Sequence, residues 1–326
     1  MTDSMHSAHW GAFRARRDGD SLTITPFSAD PDPSPLLANL HNALAHPARV
    51  ARPMIRRGWL ENGPGPDARR GLDSYVAVSW EEAYARVADE LRRVGERYGP
   101  AGIFGGSYGW SSAGRFHHAQ SQVHRFLNTV LGGYVRSVNS YSSGAASVLL
   151  PHIVGDMNEI ARRGVSWESI AEHSEVVLAF GGLALKNSQV ASGGLSEHTE
   201  RSFMQRAARR GTRFISVSPL KSDLPDEAGG EWLPLIPGSD AALMLALLHE
   251  LTTQGLTADD FLARYTHGWT TLKAYLLGEE DGITRDADWA ADLCGLPAAQ
   301  IRALAHALHG KRVVITVAHA LQRAQH

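Results

Sequence analysis

Cysteine is almost absent from this sequence. Cys294 is the single cysteine among 326 residues, which excludes an internal disulfide framework, a cysteine-rich zinc site and an iron–sulfur cluster ligated by cysteines of this chain. Cys294 follows Ala-Asp-Leu in a helical pattern, so we expect it to be a buried thiol. We therefore expect no iron–sulfur cluster here.

Long apolar runs and a surplus of one charge are missing as well. The longest apolar stretch, Ala241–Leu248, is far shorter than the roughly 20 residues of a membrane span. The net charge is −2 and the basic residues are dispersed, so nothing indicates binding of nucleic acid. No apolar signal region precedes or follows Arg16-Arg17 near the N-terminus, and we expect a cytoplasmic protein without a membrane span.

Several common catalytic and nucleotide-binding motifs are also missing. The chain has no GxxxxGK[ST] loop, and Gly181-Gly182 lacks the GxGxxG spacing of a dinucleotide site. The 16 histidines form no HExxH motif, so we expect most of them on the surface or in helix packing. Ser142 does not lie in a G-x-S-x-G sequence, which argues against a hydrolase nucleophile.

What is present is the composition of an ordinary globular protein. Hydrophobic residues make up 43% and charged residues 20% of the chain, and its length suffices for about two domains. The Asp18-Gly19 turn predicts a β-hairpin within 8–27, residues 50–80 look irregular, and Ser79 is a plausible N-cap for a helix to Arg97. Further strands are predicted at 103–104, 176–180, 214–217 and 312–317, and helices at 201–210, 241–253, 258–264 and 297–309.

Such alternation of strands and helices predicts an α/β fold with a parallel sheet between helices. Ligands bind these sheets at the carboxyl ends of the strands, where the loops 105–110, 181–189 and 218–223 are expected. The strand at Ile103-Phe104, just before the first loop, is expected to be short and buried.

Two glycine-punctuated turns stand out, Gly105-Gly106-Ser107-Tyr108-Gly109-Trp110 and Ser140-Tyr141-Ser142-Ser143-Gly144. Glycine lets a backbone approach a ligand closely, so the pair suits a site for a bulky cofactor. From the residues alone, however, packing of Tyr108 and Trp110 in a core is the simpler interpretation. The sequence patterns by themselves reach no further than glycine-lined turns that present tyrosine, tryptophan and serine.

The order of these motifs, with Ala8-His9-Trp10-Gly11-Ala12-Phe13 before them, resembles the dimethyl sulfoxide reductase family of molybdenum enzymes, and within it the biotin sulfoxide and trimethylamine N-oxide reductases. The resemblance extends over essentially the whole chain, through the segments 151–155, 231–234, 237–244, 275–279 and 321–326. It implies an oxidoreductase that takes oxygen atoms from S-oxides or N-oxides, such as biotin sulfoxide, methionine sulfoxide, dimethyl sulfoxide or trimethylamine N-oxide. The implied cofactor is molybdenum held by two molybdopterin guanine dinucleotides.

The resemblance implies a role for particular residues in the catalytic site. Ser142 matches the serine whose alkoxide ligates the metal, and a highly charged metal lowers the pKa of a hydroxyl enough for it to bind deprotonated. Tyr108 and Trp110 match a pair that donates hydrogen bonds to the oxo group or the substrate oxygen, and Trp110 also contacts the cofactor. A phenol O–H and an indole N–H suit that role.

Other positions match cofactor contacts. Lys186, Asn187 and Gln189 correspond to a loop that binds the pterin or its diphosphate, and Gln322 and Arg323 to a Gln-Arg pair that contacts the pterin. The positions that correspond to guanosine contacts are Ser218, Ser239 and Asp240. For Asp240 the alternative is a helix N-cap, and for the Gln-Arg pair it is an ordinary polar segment after a strand.

The fold that the resemblance implies is a three-layer α/β/α (Rossmann-like) molybdopterin oxidoreductase region after a small N-terminal β-containing region. We place the latter at 1–50 and the α/β region at 51–326, with a central layer at 51–170 and a Rossmann-like layer at 171–326. Family members are more than twice as long. We therefore expect a fragment that lacks the C-terminal β-barrel-like domain and retains no cofactor alone.

Some positions depart from the family pattern. Ser140 stands where an acidic residue is frequent, Leu183-Ala184 replace an Asn-Pro or Asp-Pro, and 318–320 replace a tryptophan-containing stretch. Electrons would come from a partner protein or a reduced nucleotide. Two alternatives stay open, a non-catalytic fragment and a nucleotide-binding α/β module.

Overall fold

The computed structural model describes residues 4–106 and 118–325 of the chain. The chain folds into two compact units. One consists of Met1–Val138 and Val190–Glu197, and the other of Asn139–Gln189 and His198–His326. The first unit contains two small antiparallel sheets and the second a parallel sheet. The division into 1–50, 51–170 and 171–326 stays a prediction.

The chain begins with a small antiparallel sheet. Its strands are β1 (Ser4–Ala8), β2 (Gly11–Asp18) and β3 (Ser21–Pro26), in that order across the sheet. The predicted hairpin is β2 and β3, and Gly19 connects them with φ +60°. The hairpin prediction is confirmed, and β1 extends it by a third strand that the sequence patterns did not reveal.

The segment 50–80 is less irregular than expected. Met54–Arg56 (β4) pairs with Tyr75–Ala77 (β5) in an antiparallel two-stranded sheet, and Arg57–Asn62 forms the helix α1. Ion pairs stabilise the segment between these two strands. The Arg56 guanidinium lies 3.0 Å from a carboxylate oxygen of Asp67 and 3.3 Å from a carboxylate oxygen of Asp73. Short strands of this kind depend on tertiary pairing and carry little local signal.

Helix α2 (Trp80–Tyr98) begins and ends as the sequence predicts, within one residue. The Ser79 hydroxyl accepts a 3.1 Å hydrogen bond from the Glu82 N–H, and acidic residues occupy the first turn. A further α-helix of this unit is α3 (Ala119–Leu131), which buries Leu127 and ends at Gly132 with φ +72°.

The expected buried strand at Ile103-Phe104 is wrong. Phe104 forms a single parallel bridge with Val135, and its side chain is 66% exposed. Two apolar residues before a glycine pair are too few to distinguish a core strand from an isolated bridge. The burial of such a pair is decided by the elements that cover it.

The second unit is organised around a four-stranded parallel sheet. Its strands are β6 (Val176–Phe180), β7 (Arg213–Val217), β8 (Glu231–Leu233) and β9 (Val313–Val317), in the order β8-β7-β6-β9. The prediction of a parallel sheet in a mixed α/β fold is confirmed. All five residues of β6 are buried, as expected for a central parallel strand that is covered on both faces.

The α-helices of this unit are α4 (Gly144–Ile153), α5 (Met157–Arg162), α6 (Trp167–His173), α7 (Glu200–Arg209), α8 (Asp240–Thr253), α9 (Asp259–Tyr265), α10 (Trp269–Leu276), α11 (Ala287–Cys294) and α12 (Ala298–Leu308). Four of them, α7, α8, α9 and α12, have bounds close to the expected ones, and the others were not predicted. Cys294 is fully buried at the end of α11, as predicted. None of the helices in the part of the chain that the structure describes combines the length and apolar character needed to cross a bilayer.

Helices cover both faces of the sheet. Leu178 of β6 and Ile215 of β7 point to one face, where they belong to a cluster with residues of α8, α11 and α12. Val177 and Phe214 point to the other face and cluster with residues of α6 and α7. This alternation is the period of two that places successive strand residues on opposite faces.

Candidate functional site

The carboxyl ends of three strands meet at one edge of the parallel sheet. Phe180 of β6 is in register with Val217 of β7 and with Val317 of β9. The loops 181–189, 218–223 and 318–323 therefore leave the sheet side by side. This is the edge at which open α/β sheets bind ligands, and it carries most of the cofactor contacts that the sequence predicts.

A cleft of about 650 Å³ opens between the loops that follow β6 and β9. Lys186 and Asn187 of the first loop line it together with Arg323, so three of the predicted cofactor residues face one cavity. Other lining positions are Trp167, Gly181, Gly182, Ser188, Glu200, Asp223, Thr316 and His319. An ammonium, a guanidinium and an amide that line one cavity suit an anionic, hydrogen-bonding ligand.

Two glycines form one wall of this cleft at positive φ. A Cβ added to Gly181 (φ +88°) would lie 2.4 Å from the Cβ of Ala318, and one added to Gly182 (φ +81°) would lie 2.5 Å from the Cβ of Asp223. The Gly181 N–H donates to the Val217 carbonyl at 2.8 Å. This turn therefore brings the loops together and differs from a phosphate-binding loop, whose N–H groups point at the ligand.

Asp223 connects the loop after β6 with the loop after β7. The Ser218 hydroxyl donates a 2.7 Å hydrogen bond to one of its carboxylate oxygens, and the Lys186 ammonium lies 3.5 Å from the other. The Leu183 N–H donates to the Asp223 carbonyl at 2.7 Å. Ser218 is 1% exposed, so its hydroxyl stabilises the loop and is shielded from solvent.

Glu200 places a carboxylate on the cleft wall at the start of α7. Its Oε2 atom is shielded from solvent and has no hydrogen-bond partner among the described residues. A shielded carboxylate oxygen without a donor is costly, and a ligand with N–H groups would remove that cost. The glycine wall, the basic and amide lining and this acceptor together fit a polar anionic cofactor that also carries amino groups.

Ser142 lies in an exposed turn just before α4. The Gln322 side chain donates from Nε2 to the Ser142 carbonyl at 2.6 Å and accepts at Oε1 from the Ala146 N–H at 2.7 Å. The structure thus brings two predicted site residues together although 180 positions separate them. In the described ranges, histidine, cysteine and carboxylate side chains do not gather in threes as metal ligands.

The first glycine turn is described only at its beginning. Gly105 is tightly enclosed, since an added Cβ would lie 2.5 Å from a ring carbon of Tyr134 and 2.6 Å from a methyl group of Leu127. Tyr108 and Trp110, the predicted hydrogen-bond donors, lie outside the described residues. Their roles stay predictions.

The remaining predicted contacts are not part of the cleft lining. Gln189 is 8% exposed, directly after the Lys186–Ser188 segment. Ser239 precedes α8 and donates its hydroxyl to the Ile236 carbonyl at 2.6 Å, and Asp240 is the first residue of α8 and 8% exposed. Their guanosine and pterin contacts stay predictions.

The geometry accords with the comparisons with known proteins. A family model described as molybdopterin oxidoreductase matches residues 49–326, and one described as molybdopterin oxidoreductase N-terminal domain matches residues 6–44. The chain belongs to the molybdopterin oxidoreductase family. The resemblance to the dimethyl sulfoxide reductase group, noted from the motifs, is confirmed.

Curated relatives indicate which members of the family this chain is similar to. The chain is 44% identical to the biotin sulfoxide reductase of Cereibacter sphaeroides over 94% of its length, which is 41% of that protein. It is 37% identical to the dimethyl sulfoxide/trimethylamine N-oxide reductase of Rhodobacter capsulatus over 99% of its length, or 39% of the relative. This molybdopterin oxidoreductase chain thus spans about two fifths of the curated relatives that it matches.

A solved structure shares the fold. Acetylene hydratase from Pelobacter acetylenicus superposes with a TM-score of 0.59 at 20% sequence identity, over 98% of this chain and 41% of the other. At that identity the likeness concerns the fold alone.

The sequence of this molybdopterin oxidoreductase did not single out Asp223 and Glu200, which are among the residues that line the cleft. Asp223 ends the loop expected to bind a ligand after β7, so its position was a usable signal. Glu200 carried no signal, because its place on the cleft wall follows from how α7 packs against the sheet.

Proposed function

We propose that this chain forms the cofactor-binding α/β region of a molybdenum-dependent reductase of S-oxides or N-oxides. The observation that carries the proposal is the basic and amide-lined cleft at the carboxyl edge of the parallel sheet, in a chain of the molybdopterin oxidoreductase family. The substrate class follows the names of the relatives, which are biotin sulfoxide, dimethyl sulfoxide and trimethylamine N-oxide reductases.

The finer fold is part of the proposal. Helices on both faces of the parallel sheet support a three-layer Rossmann-like arrangement. The regions 1–50, 51–170 and 171–326 would be the domains of this arrangement. A C-terminal β-barrel-like domain would belong to the region of the relatives that this chain does not cover, and cofactor retention would need that region.

The proposed cofactor is molybdenum held by two molybdopterin guanine dinucleotides. When bound, it would supply two-electron redox chemistry and accept the oxygen atom of the substrate. The residues proposed to hold it are Ser142 at the metal and Trp110, Lys186, Asn187, Gln189, Ser218, Ser239, Asp240, Gln322 and Arg323 at the pterin and nucleotide parts.

Ser142 is suited to the role of a metal ligand. Its turn is exposed, so the hydroxyl is accessible to a large group. It lies two residues before α4, and the N-terminal end of a helix carries about half a positive charge that favours an anionic oxygen. Ser143, the N-cap, makes no side-chain hydrogen bond to the helix, so its hydroxyl does not neutralise that end.

The cleft residues would bind the charged part of the cofactor. Lys186 is 70% exposed in its side chain and lies within ion-pair distance of Asp223, so its ammonium is accessible while it stays anchored near the cleft. Together with Arg323 it would pair with a diphosphate. Tyr108 and Trp110 would donate hydrogen bonds that orient the substrate oxygen. A partner protein or a reduced nucleotide would deliver the electrons.

A chimera tests the proposal. This chain would replace the region that it matches in the biotin sulfoxide reductase of Cereibacter sphaeroides, and the parent enzyme would serve as the control. We expect the chimera to contain molybdenum with about two guanine nucleotides per metal and to reduce biotin sulfoxide. A chimera that is folded by circular dichroism and monodisperse but contains no molybdenum would refute the proposal.

The ligand role of Ser142 has its own test in the chimera. Ser142→Ala should lower S-oxide reduction by more than about 100-fold and change the visible absorption of the metal centre, because losing a metal ligand exceeds the effect of losing a supporting contact. Ser140→Ala, in the same exposed turn region, is the matched control and should change neither. Equal spectra and rates for Ser142→Ala and the parent chimera would contradict the assignment.

A further inference from the structure

The side chain of Gln322 joins two distant parts of the second unit through both ends of its amide. Nε2 donates to the Ser142 carbonyl at 2.6 Å, and Oε1 accepts from the Ala146 N–H at 2.7 Å. Gln322 comes from the turn after β9, and its partners come from the turn before α4 and from the first turn of α4. Both contacts are to backbone atoms, so they determine the course of the chain around Ser142.

We propose that Gln322 is a positioning residue that fixes the Ser142 turn relative to the carboxyl edge of the sheet. The inference rests on the proposed function in one respect, since it takes Ser142 as the metal ligand. It differs from the pterin contact that the resemblance implies, because this amide contacts the chain itself. The connection joins the turn that carries the ligand to the strand end that borders the cleft.

The two hydrogen bonds of Gln322, to the Ser142 carbonyl and from the Ala146 N–H, are called the clamp below. The local structure of α4 explains why this clamp is needed. The first N–H groups of a helix lack intrahelical acceptors, and the N-cap Ser143 gives no side-chain hydrogen bond to them. Gln322 supplies the acceptor for Ala146 from outside the helix. Besides Gln322, the turn is held by the Ser147 N–H and hydroxyl, which donate to the Ser143 carbonyl at 2.9 and 2.8 Å, and by the Asn139 amide, which donates to the Gly144 carbonyl at 3.4 Å.

The amide still has the capacity to contact a ligand. A glutamine side chain offers two N–H donors and two acceptor lone pairs, and the two backbone contacts use one of each. Its remaining N–H and lone pair can meet a pterin without releasing the Ser142 turn. The two roles are therefore compatible, and a test must measure the clamp in the absence of cofactor.

Hydrogen exchange resolved at single amides in the unloaded 326-residue chain measures the clamp. Gln322→Met removes donor and acceptor at similar length, and we expect the Ala146 amide to exchange about tenfold faster, as for the loss of one net hydrogen bond. Gln322→Glu keeps the acceptor and should retain most of the Ala146 protection. Gln325→Met makes the same chemical change at a nearby exposed position and should leave the rate unchanged.

A second readout in the molybdenum-loaded chimera separates positioning from mere capping. Both Gln322→Met and Gln322→Glu lose the donor to the Ser142 carbonyl, so both should change the electron paramagnetic resonance signal per bound metal ion, and Gln325→Met should not. An Ala146 exchange rate that is equal in Gln322→Met and the unsubstituted chain overturns the clamp.

The two proposals fail in distinguishable ways. Faster Ala146 exchange with an unchanged metal signal makes Gln322 a helix cap only and overturns its positioning role. A folded chimera without molybdenum refutes the proposed function and with it the positioning role, while the exchange rate still reports whether the clamp exists.

Discussion

The glycine wall of the cleft makes a quantitative prediction. Gly181 has φ +88°, and a Cβ at this position would lie 2.4 Å from the Cβ of Ala318. The Ala318 backbone cannot easily retreat, because its N–H donates a 2.8 Å hydrogen bond to the Phe180 carbonyl at the end of β6. Gly181→Ala should therefore destabilise the protein through both the backbone and the contact.

The two contributions can be separated with a matched glycine. Gly211 has nearly the same φ, +91°, but an added Cβ there would have no heavy atom within 4 Å. Gly211→Ala should cost only the backbone strain, about 1–2 kcal/mol. Gly181→Ala should cost that strain plus an overpacking penalty of about 1–3 kcal/mol, which sums to about 2–5 kcal/mol.

Urea unfolding of the two variants and of the unsubstituted chain measures these differences as changes in the free energy of unfolding. Ala318→Gly should restore part of the stability of Gly181→Ala, since it removes the atom that the new methyl group meets, and a double-mutant cycle gives that coupling directly. Equal destabilisation by Gly181→Ala and Gly211→Ala, with no coupling to Ala318, would refute the idea of a close-packed glycine wall.

Two further predictions concern the second unit outside the cleft. Leu178→Ala should lower the free energy of unfolding by about 2–5 kcal/mol, because Leu178 is 1% exposed. Ile315→Ala changes the 59%-exposed residue that is paired with Leu178 in β9 and should lower it much less. Equal losses in urea unfolding would contradict the burial argument. Hydrogen bonds from Arg285 hold the pKa of Asp281 at about 2, below its ordinary 3.8, so its stabilising effect is complete above about pH 4 and is lost as the pH falls towards 2. The melting temperatures of Asp281→Asn and the unsubstituted chain should therefore converge as the pH falls over that range. The exposed Asp292→Asn is the control. A difference between Asp281→Asn and the unsubstituted chain that persists at pH 2 would count against the ion pair.

The parallel sheet was predictable because its signals are local. The strands β6 and β9 are short apolar runs bounded by polar or glycine positions, which is the pattern of parallel strands, although only β6 is fully buried. Helix α2 was predictable from its N-cap Ser79 and its terminal Gly99, which act within a few residues. The strand at Ile103-Phe104 was mispredicted because its two apolar residues carry no information about what covers them.

The candidate site was predictable only in its list of residues. Lys186, Asn187 and Arg323 were named from the family motifs, but their convergence on one cleft depends on the register of β6 and β9. The family motif gives no indication that the Ser218 hydroxyl donates a hydrogen bond to Asp223. The ion pair of Lys186 with Asp223 joins loops that follow different strands, and periodicity in the sequence cannot report either contact.

By itself the sequence determined the family, the parallel α/β character and the identity of the turn that carries Ser142, because motifs, caps and apolar runs are properties of neighbouring residues. Only the tertiary structure decided that Gln322 holds that turn by its backbone, that Glu200 brings a carboxylate to the cleft, and that Gly181 lies against Ala318. Each of these contacts joins positions far apart in the chain. They exist because the sheet register sets which strand ends are neighbours, and that register is a property of the folded protein as a whole.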